Sequence, residues 1–343
     1  MKFGVKTVSL AALLLGSFVS TPLVADPVAD FYKGKRISMY VGSEPGGGYD
    51  SYARLVTRHL GRFIPGNPEF IVMNMPGGGG IRVTNNLYNI AAKDGSAMGT
   101  VQRAILTTPL LDSRNTEIKY DPLKFNWLGS LNTETGLIVV WKASAPHKEM
   151  KDLFEKELLV GSSGPTTDFM PLFLNNVLGT KFKIISGYRS STDAYLAVER
   201  GEVQGRISNG WAGDKNFLQP WLDADKVRFL AQLSTVKNPL FPDVPLILDF
   251  ARNDRERAAM EVILSAQLWG RPFVMPPGVP ADRVAAVRKG FTEMMGDPAF
   301  LADAKKTNID IDVVTGDTID TVLKRVYSSP PETVEVVRKA LTD

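Results

Sequence analysis

The sequence Pro-Gly-Gly-Gly occurs twice in this chain of 343 residues, at positions 45–48 and 76–79. Each copy follows a short apolar segment with strand character, at 36–41 and 70–73, and precedes an amphipathic segment with helical periodicity. The two glycine turns, 31 residues apart, therefore each connect a strand to a helix. Repeated strand–turn–helix units predict an α/β fold.

The alternation of strand and helix patterns continues through most of the chain. Further strands are predicted at 97–101, 137–141, 158–160, 183–186, 203–208 and 227–233. Helices are predicted at 49–63, 81–92, 150–156, 194–200, 281–295 and 298–306, and one more follows the Gly/Ser-rich loop 161–167. The strand at 137–141 is apolar throughout, which predicts a position inside a sheet.

The first 25 residues have the composition of a secretory signal peptide. Lys2 and Lys6 give a positive start, residues 8–19 form an apolar run, and small residues lead to a cleavage site after Ala25. The run is shorter than the roughly 20 residues that cross a bilayer, so cleavage is favoured over an uncleaved anchor. The mature chain is therefore expected in the periplasm.

Composition limits the function classes that fit this chain. Cysteine is absent, which excludes thiol catalysis, disulfides, thiolate metal sites and a lipid anchor on cysteine. The formal net charge is +3, and Lys2 and Lys6 supply two of these charges. A nearly neutral mature chain argues against nucleic acid, which requires a concentrated basic surface. The length is that of two domains, and a monomer is expected.

The glycine turns suggest how the chain binds a ligand. A helix that begins at such a turn exposes backbone N–H groups, and its dipole adds about half a positive charge there. Glycine suits this role because it adopts positive φ and lets a ligand approach the backbone. One such turn is more often an ordinary connection. The repeat and the loop 161–167 favour an anion site at the carboxyl ends of the strands.

Motifs of nucleotide-binding and hydrolytic enzymes are incomplete in this sequence. Neither glycine turn completes G-x-G-x-x-G, and no G-x-x-x-x-G-K-[ST] is present. Residues 161–165 approach the nucleophile elbow G-x-S-x-G, but Pro165 replaces its last glycine. A secreted hydrolase that uses a serine of this loop stays an alternative and requires a nearby histidine. His59 and His147 lack the spacing of a metal site, so no metal, no cofactor and no catalysis are expected.

The motifs resemble a known family when they are taken in order. The first turn continues as P-G-G-G-Y-D-S-Y-A-R at 45–54, and the second lies in N-M-P-G-G-G-G at 74–80. They are followed by D-G at 94–95, G-S-S-G at 161–164, Y-R-S at 188–190, G-E-V at 201–203, F-P-D-V-P at 241–245 and P-P-G-V-P at 276–280. This order resembles the substrate-binding proteins of tripartite tricarboxylate transporters, also called Bug receptors. The resemblance extends from about Lys35 to about Asp310.

The resemblance implies a type II periplasmic-binding-protein fold, in which two α/β lobes with a hinge close on a ligand in an interlobe cleft. Lobe 1 is expected to be discontinuous, 26–141 plus 231–343, and lobe 2 to comprise 142–230. The family implies a small carboxylate ligand, aromatic or with one to three carboxylates, which is delivered to a membrane permease of large and small subunits. A periplasmic sensor that presents the ligand to a membrane signalling protein would use the same pocket and stays an alternative.

The expected ligand-binding residues come from loops of both lobes. In lobe 1 they are Pro45, Gly46, Gly47, Gly48, Asp50, Gly77, Gly78, Gly79, Gly80, Ile81 and Arg103. In lobe 2 they are Ser162, Ser163, Thr166, Tyr188, Arg189, Ser190, Thr192 and Asn209. The first-lobe turns are expected to hold one carboxylate through backbone N–H groups, and the second-lobe loops to close over the other end of the ligand.

The chain departs from the family pattern at some of these positions. Gly48 and Ile81 stand where members often carry polar side chains, so the predicted grip depends more strongly on the backbone. Arg103 follows a strand where members carry small residues, and it either pairs with a ligand carboxylate or is an exposed or structural arginine. Arg189 has the same two interpretations.

Two further residues allow two roles each. Asp50 either positions the ligand or caps the first helix, and capping is favoured because a buried carboxylate would repel an anionic ligand. Trp211 either packs on an apolar part of the ligand or belongs to the core.

Overall fold

The structure, a computed structural model, describes residues 1, 26–163, 165–208 and 210–342. Apart from Met1, the predicted signal peptide (1–25) lies outside these residues. Within the described ranges, no helix has the length and apolar character needed to cross a membrane.

Strands and helices alternate along the chain. The strands are β1 (Arg36–Val41), β2 (Glu69–Asn74), β3 (Ala97–Thr100), β4 (Asn126–Ser130), β5 (Gly136–Trp141), β6 (Leu158–Gly161), β7 (Phe182–Ile185), β8 (Gly205–Ser208), β9 (Val227–Leu233), β10 (Pro272–Met275) and β11 (Val314–Thr315). The helices are α1 (Pro27–Tyr32), α2 (Gly48–His59), α3 (Ile81–Asn89), α4 (Thr108–Leu111), α5 (Asp152–Glu155), α6 (Pro165–Leu178), α7 (Ser191–Glu199), α8 (Trp211–Asp223), α9 (Asp254–Leu264), α10 (Ala281–Met295), α11 (Pro298–Lys306), α12 (Gly316–Tyr327) and α13 (Pro331–Thr342).

The strands form two separate sheets, which confirms the α/β class. The first sheet has the order β11-β4-β10-β3-β1-β2, with β1 parallel to β2 and β3, and β10 antiparallel to β3 and β4. The second has the order β7-β6-β8-β5-β9, with β6 parallel to its neighbours and β5 antiparallel to β8 and β9. Each sheet is the centre of one lobe.

The chain crosses from the first sheet to the second at 131–135 and returns through 234–271. The predicted division placed 136–141 and 231–233 in lobe 1, whereas β5 and β9 pair within the second sheet. The reason is that β5 is buried on both faces: Leu137 and Val139 join one hydrophobic cluster, and Ile138 and Val140 join another. The exact lobe boundaries stay a prediction.

Helices cover both faces of each sheet. In the first lobe, α2, α10 and α11 pack on one face, and α3 and α12 on the other. In the second lobe, α7 and α8 cover one face, and α6, α9 and α13 cover the other. Helices α9 and α13, which the prediction assigned to lobe 1, thus pack on the second sheet because their apolar sides complete its core.

Several predicted elements have the bounds that the sequence suggested. This holds for β1, β9, α10 and α11. The helix predicted at 49–63 ends at His59 and continues as a 3₁₀ turn, Leu60–Phe63. The helix predicted at 150–156 is reduced to the single turn of α5.

Candidate functional site

The carboxyl ends of the parallel strands of both sheets lie at the edges where the chain crosses between lobes. Strands β1 to β4 run in one direction, because β10 is antiparallel to both β3 and β4. In the second sheet, β6, β7 and β8 end at the edge where β5 begins. The loops after these strands therefore meet at the interlobe cleft, which is where ligands bind in open α/β sheets.

The first glycine turn lies between β1 and α2, and its backbone conformation requires glycine at Gly46, where φ is 80°. The N–H of Gly46 donates to the Asp50 carboxylate at 2.8 Å, and the N–H of Gly47 donates to the Glu44 carbonyl at 3.2 Å. These two N–H groups were expected to face the ligand, but both are hydrogen-bonded within the turn. Gly48 begins α2, and the first N–H groups of a helix have no carbonyl within the helix to bond.

Asp50 lies in the first turn of α2 and holds the glycine turn in place, but its carboxylate accepts from the Gly46 N–H, ahead of the helix, and not from an N–H of α2. Its side chain is 3 % exposed and accepts hydrogen bonds from Gly46, from Arg54 at 2.8 Å and from Asn74 at 2.9 Å. Burial by itself raises the pKa of Asp50, but the hydrogen bonds from Arg54, Gly46 and Asn74 outweigh it, so the pKa lies below its ordinary value. The carboxylate therefore stays ionised and fixes the start of α2.

The second glycine turn lies between β2 and α3, and four successive residues of it adopt a backbone conformation that favours glycine. Gly77, Gly78, Gly79 and Gly80 have φ values of 133°, 57°, 59° and 99°. Gln102, just after β3, connects the two turns, because its amide nitrogen donates to the Gly42 carbonyl and its Oε1 lies against Gly80. A Cβ on Gly80 would lie 2.0 Å from this oxygen.

Arg271, which the sequence analysis did not single out, supplies a cation at the start of α2. One guanidinium nitrogen, Nη2, lies 3.4 Å from the position that a Cβ on Gly48 would take. The guanidinium carbon is 4.6 Å from the centroid of the Tyr49 ring and 5.4 Å from that of Tyr52, within cation–π range. The side chain is 14 % exposed. Arg271 is thus in van der Waals contact with the position where a side chain at residue 48 would begin.

Glu134, in the first crossing segment, is the acidic partner of Arg271. Its Oε1 lies 3.3 Å from Nη1 of Arg271, and its side chain is 2 % exposed. A Cβ on Gly210 would lie 2.1 Å from Oε2, and one on Gly270 would lie 2.9 Å from Cγ. The carboxylate is thus packed between the start of α8 in lobe 2 and the start of β10 in lobe 1. In the sequence, the only sign of this pair is that each charged residue lies near a glycine. That pattern is too common to identify an ion pair.

The two arginines that the sequence did single out lie in different surroundings. Arg103 begins the 3₁₀ turn Arg103–Leu106, where its N–H donates to the Tyr49 hydroxyl at 3.0 Å and its carbonyl accepts from Trp269 at 3.1 Å. Its backbone is therefore tied to the start of α2, and a ligand contact by its side chain stays a prediction. Arg189 is 94 % exposed and 3.9 Å from Asp193.

The second-lobe loops are brought together by short contacts. Ser162 is 1 % exposed and hydrogen-bonds to Thr167, which also accepts from the Ser163 N–H at 2.9 Å. The Tyr188 N–H donates to the Ser162 carbonyl at 3.3 Å, which places the two loops side by side. Ser190 caps α7 by accepting from the Asp193 N–H at 3.1 Å.

The other predicted residues are placed as follows. Pro45, Gly46, Gly48, Gly77, Gly78, Gly79, Arg189, Ser190 and Thr192 are exposed, whereas Gly47, Ile81, Arg103, Ser163 and Tyr188 are partly buried. Ile81 packs on the hydrophobic cluster under α3. Asn209 and the side chain of Thr166 lie outside the described part of the chain.

Both histidines have structural partners. His59 Nε2 lies 2.8 Å from the Asp303 carboxylate, and its ring packs edge-on against Phe300. His147 is buried, and its Nε2 lies 3.2 Å from the Lys156 carbonyl. In the described ranges no cluster of histidine and acidic side chains could hold a metal ion.

Trp211 belongs to the core of the second lobe, where it packs edge-on against Phe241 with ring centroids 4.8 Å apart. It also lines a cavity of about 1090 Å³ between α8 and the segment 308–315. No residue of the glycine turns lines this cavity. Its Lys215 is paired with Asp310 at 2.8 Å, and Arg271 beside α2 is likewise paired with Glu134, at 3.3 Å.

Comparisons with known proteins agree with this geometry. A family model described as the tripartite tricarboxylate transporter family receptor matches residues 56–325. No curated protein sequence matches the chain.

Solved structures have the same fold at low sequence identity. A TctC solute-binding protein from Polaromonas is 18 % identical with a TM-score of 0.71, covering 90 % of this chain and 99 % of that one. The R. palustris protein Rpa4515 with adipate is 18 % identical with a TM-score of 0.60, covering 90 % and 97 %. MatC from Rhodopseudomonas palustris with bound malate is 19 % identical with a TM-score of 0.56, covering 88 % and 99 %.

The two-lobed architecture is thus that of periplasmic binding proteins, and the matched family consists of solute-binding receptors rather than enzymes. The chain belongs to the tripartite tricarboxylate transporter receptor family.

Proposed function

We propose that this protein is a periplasmic receptor that binds a small carboxylate between its two lobes and delivers it to a membrane permease of large and small subunits. The family membership supports the receptor role. The observation that carries the carboxylate is the guanidinium of Arg271, which lies against Gly48 at the start of α2.

The proposed grip combines a side chain and the backbone. The first-turn N–H groups of α2, at Gly48 and Tyr49, have no partner within the helix and carry the positive end of its dipole. A carboxylate placed there would accept from these N–H groups and from the guanidinium, which binds carboxylates in a fork geometry. The expected backbone site is therefore reinforced by one cation.

The crossing segments supply the proposed hinge. Glu134 and Arg271 lie where the chain passes between lobes, so a ligand bound to Arg271 would act close to the axis of lobe rotation. Closure would then bring the loops that contain Ser162 and Tyr188 over the other end of the ligand. Export to the periplasm would use the signal peptide predicted at 1–25.

Ligands seen in relatives support a carboxylate. Adipate is bound to Rpa4515 and malate to MatC. Both proteins share the fold of this chain at 18 % and 19 % identity, and they support a carboxylate as the chemical class of the ligand.

A thermal-shift screen of the mature protein, residues 26–343, tests this proposal. The panel contains mono-, di-, tri- and aromatic carboxylates, with sugars and amines as unrelated solutes. A ligand at 100 times its Kd should stabilise the fold by about 2.7 kcal/mol. A shift that appears with sugars or amines and with no carboxylate would refute the proposal.

A further inference from the structure

Arg271, the cation of the proposed grip, already has a counter-ion inside the fold. Glu134 Oε1 lies 3.3 Å from Nη1 of Arg271, and the side chains of Glu134 and Arg271 are 2 % and 14 % exposed, respectively. The same oxygen accepts a hydrogen bond from the Asn132 amide at 3.3 Å. A ligand carboxylate at Arg271 would therefore be the second anion beside one guanidinium.

The contacts of Arg271 leave one edge of its guanidinium for a ligand. Nη1 donates to the Gly270 carbonyl at 2.8 Å and faces Glu134. Nε is buried and has no hydrogen-bond partner among the described residues. Nη2 and Nε are also the atoms nearest to Gly48, 3.4 and 3.7 Å from the position of a Cβ there. An arginine can bind a carboxylate through two parallel hydrogen bonds from such an edge, so the ligand and Glu134 would contact different sides of the same group.

Glu134 is held in place by close packing between the lobes. A Cβ on Gly210 would lie 2.1 Å from its Oε2, and one on Gly270 would lie 2.9 Å from its Cγ. Its backbone N–H donates to the Gln267 carbonyl at 2.7 Å, which connects the two crossing segments. The carboxylate is therefore fixed beside Arg271 by packing as well as by charge.

Arg271 and Glu134 balance each other's charge. Within the described ranges, neither of them has another ion-pair partner within 4.0 Å. The acid of the first glycine turn, Asp50, is paired with Arg54 at 2.8 Å. Removing the charge of Glu134 would thus leave Arg271 as a largely buried cation that lacks a counter-ion until a ligand supplies one.

We propose that Glu134 competes with the ligand carboxylate for Arg271 and thereby limits the affinity of the cleft for carboxylates. The ligand carboxylate and Glu134 would lie within ~8 Å of each other, the Debye length at physiological salt, so salt screens their repulsion only in part. At an effective dielectric constant of about 20, this repulsion is large enough to change affinity tenfold. The inference rests on the proposed carboxylate receptor. Glu134 acts through Arg271 and is a positioning residue that sets the charge available to the ligand.

The proposal predicts that stability and affinity change in opposite directions when the charge of Glu134 is removed. Glu134→Gln keeps the shape of the side chain and an acceptor oxygen, but it leaves the charge of Arg271 without a counter-ion, so the empty protein becomes less stable. A ligand carboxylate then supplies the missing anion, and its affinity should rise at least about tenfold. A merely structural Glu134 would lose stability with no gain in affinity.

Isothermal titration calorimetry of the mature protein tests this, with a carboxylate found in the screen and with the corresponding primary amide. Glu134→Gln should raise the affinity for the carboxylate at least about tenfold and change the affinity for the amide less than about threefold, because the amide has no charge. Glu44→Gln is the matched control. Glu44 precedes the first glycine turn and is exposed, so solvent screens its charge and carboxylate affinity should change less than about threefold.

The outcomes separate this inference from the proposed function. If Glu134→Gln does not fold alone, recovery of its fold with the carboxylate and not with the amide supports the competition, and no recovery with either contradicts it. Unchanged or weaker carboxylate binding by Glu134→Gln, or an equal gain for carboxylate and amide, would overturn the inference and leave the carboxylate receptor intact. Absence of carboxylate binding in both the wild type and the variant would instead overturn the receptor proposal.

Discussion

The guanidinium of Arg271 lies beside the α-carbon of Gly48, with Nη2 3.4 Å from the position of a Cβ at residue 48. Arg271 immediately precedes the hydrophobic strand β10, and the antiparallel pairing of β10 with β3 places Arg271 at this point. The start of α2 is thereby the one place among the glycine turns of the described residues where a partly buried cation lies against the backbone.

Substitutions at Gly48 should depend on side-chain size. Gly48→Ala adds only a Cβ at ordinary contact distance, so carboxylate affinity should change less than about threefold. Gly48→Thr adds a branched side chain that must displace Arg271, and affinity should fall about tenfold or more. Calorimetric titration of both variants with a carboxylate found in the screen measures this. Equal affinities in the two variants would contradict the placement of Arg271 in the site.

Arg271→Met should weaken both carboxylate binding and the fold. Binding loses a charged donor, and Glu134 is left buried without its partner, which costs about 3 kcal/mol of unfolding free energy. The double variant Arg271→Met/Glu134→Gln should recover most of that stability without recovering affinity. Urea unfolding and calorimetry distinguish the two effects, and additive losses of stability in the double variant would refute the pairing.

Asp50 should stabilise the protein in a pH-dependent way. Its pKa is lower in the folded state than in the unfolded chain, so its contribution is complete above the unfolded pKa of about 3.9 and is lost as pH falls through the lower folded value. Asp50→Asn should therefore reduce the unfolding free energy by about 2 kcal/mol at pH 7, and the difference should shrink below pH 4.

Urea unfolding of Asp50→Asn at several pH values tests this dependence. A suitable control is Asp243→Asn, since Asp243 is exposed and has no hydrogen bond or ion pair among the described residues. A constant difference between wild type and Asp50→Asn across the pH range would show that the charge of Asp50 does not hold the turn.

Alanine substitutions in the second turn should differ strongly between neighbours. Gly79 has φ 59° and open space around its α-carbon, so Gly79→Ala should cost about 1 kcal/mol of strain. Gly80 has φ 99°, and a Cβ there would lie 2.0 Å from Gln102 Oε1, so Gly80→Ala should cost about 3 kcal/mol. Equal unfolding midpoints of these two variants would contradict the described packing of Gln102.

The sequence predicted best those features that depend on neighbouring residues. Strand β9 and helices α10 and α11 have the predicted bounds, because their apolar periodicity and flanking prolines or glycines are local signals. The unpredicted elements include β4, β10, α8, α9, α12 and α13. Strand β10 has only four residues, starts with proline and is buried throughout, so it lacks the alternation by which a strand is recognised.

The site residues divide in the same way. The motif P-G-G-G indicated positive φ, and Gly46 and Gly77 to Gly80 adopt it. The sequence predicted less well which residue each polar side chain would contact. Asp50 closes its own turn through residues four positions away on either side, whereas Arg206 meets Ser191 only because β8 lies beneath the start of α7.

The sequence by itself determined the α/β class, the family and the two turns that contain glycines at positive φ, since all of these follow from local conformation and from motif order. Only the tertiary structure decided which charges lie at those turns. Arg271 and Gly48 are far apart in the chain, and they meet because β10 returns from the second lobe to pair between β3 and β4. Such a contact depends on strand order, which no short stretch of sequence specifies.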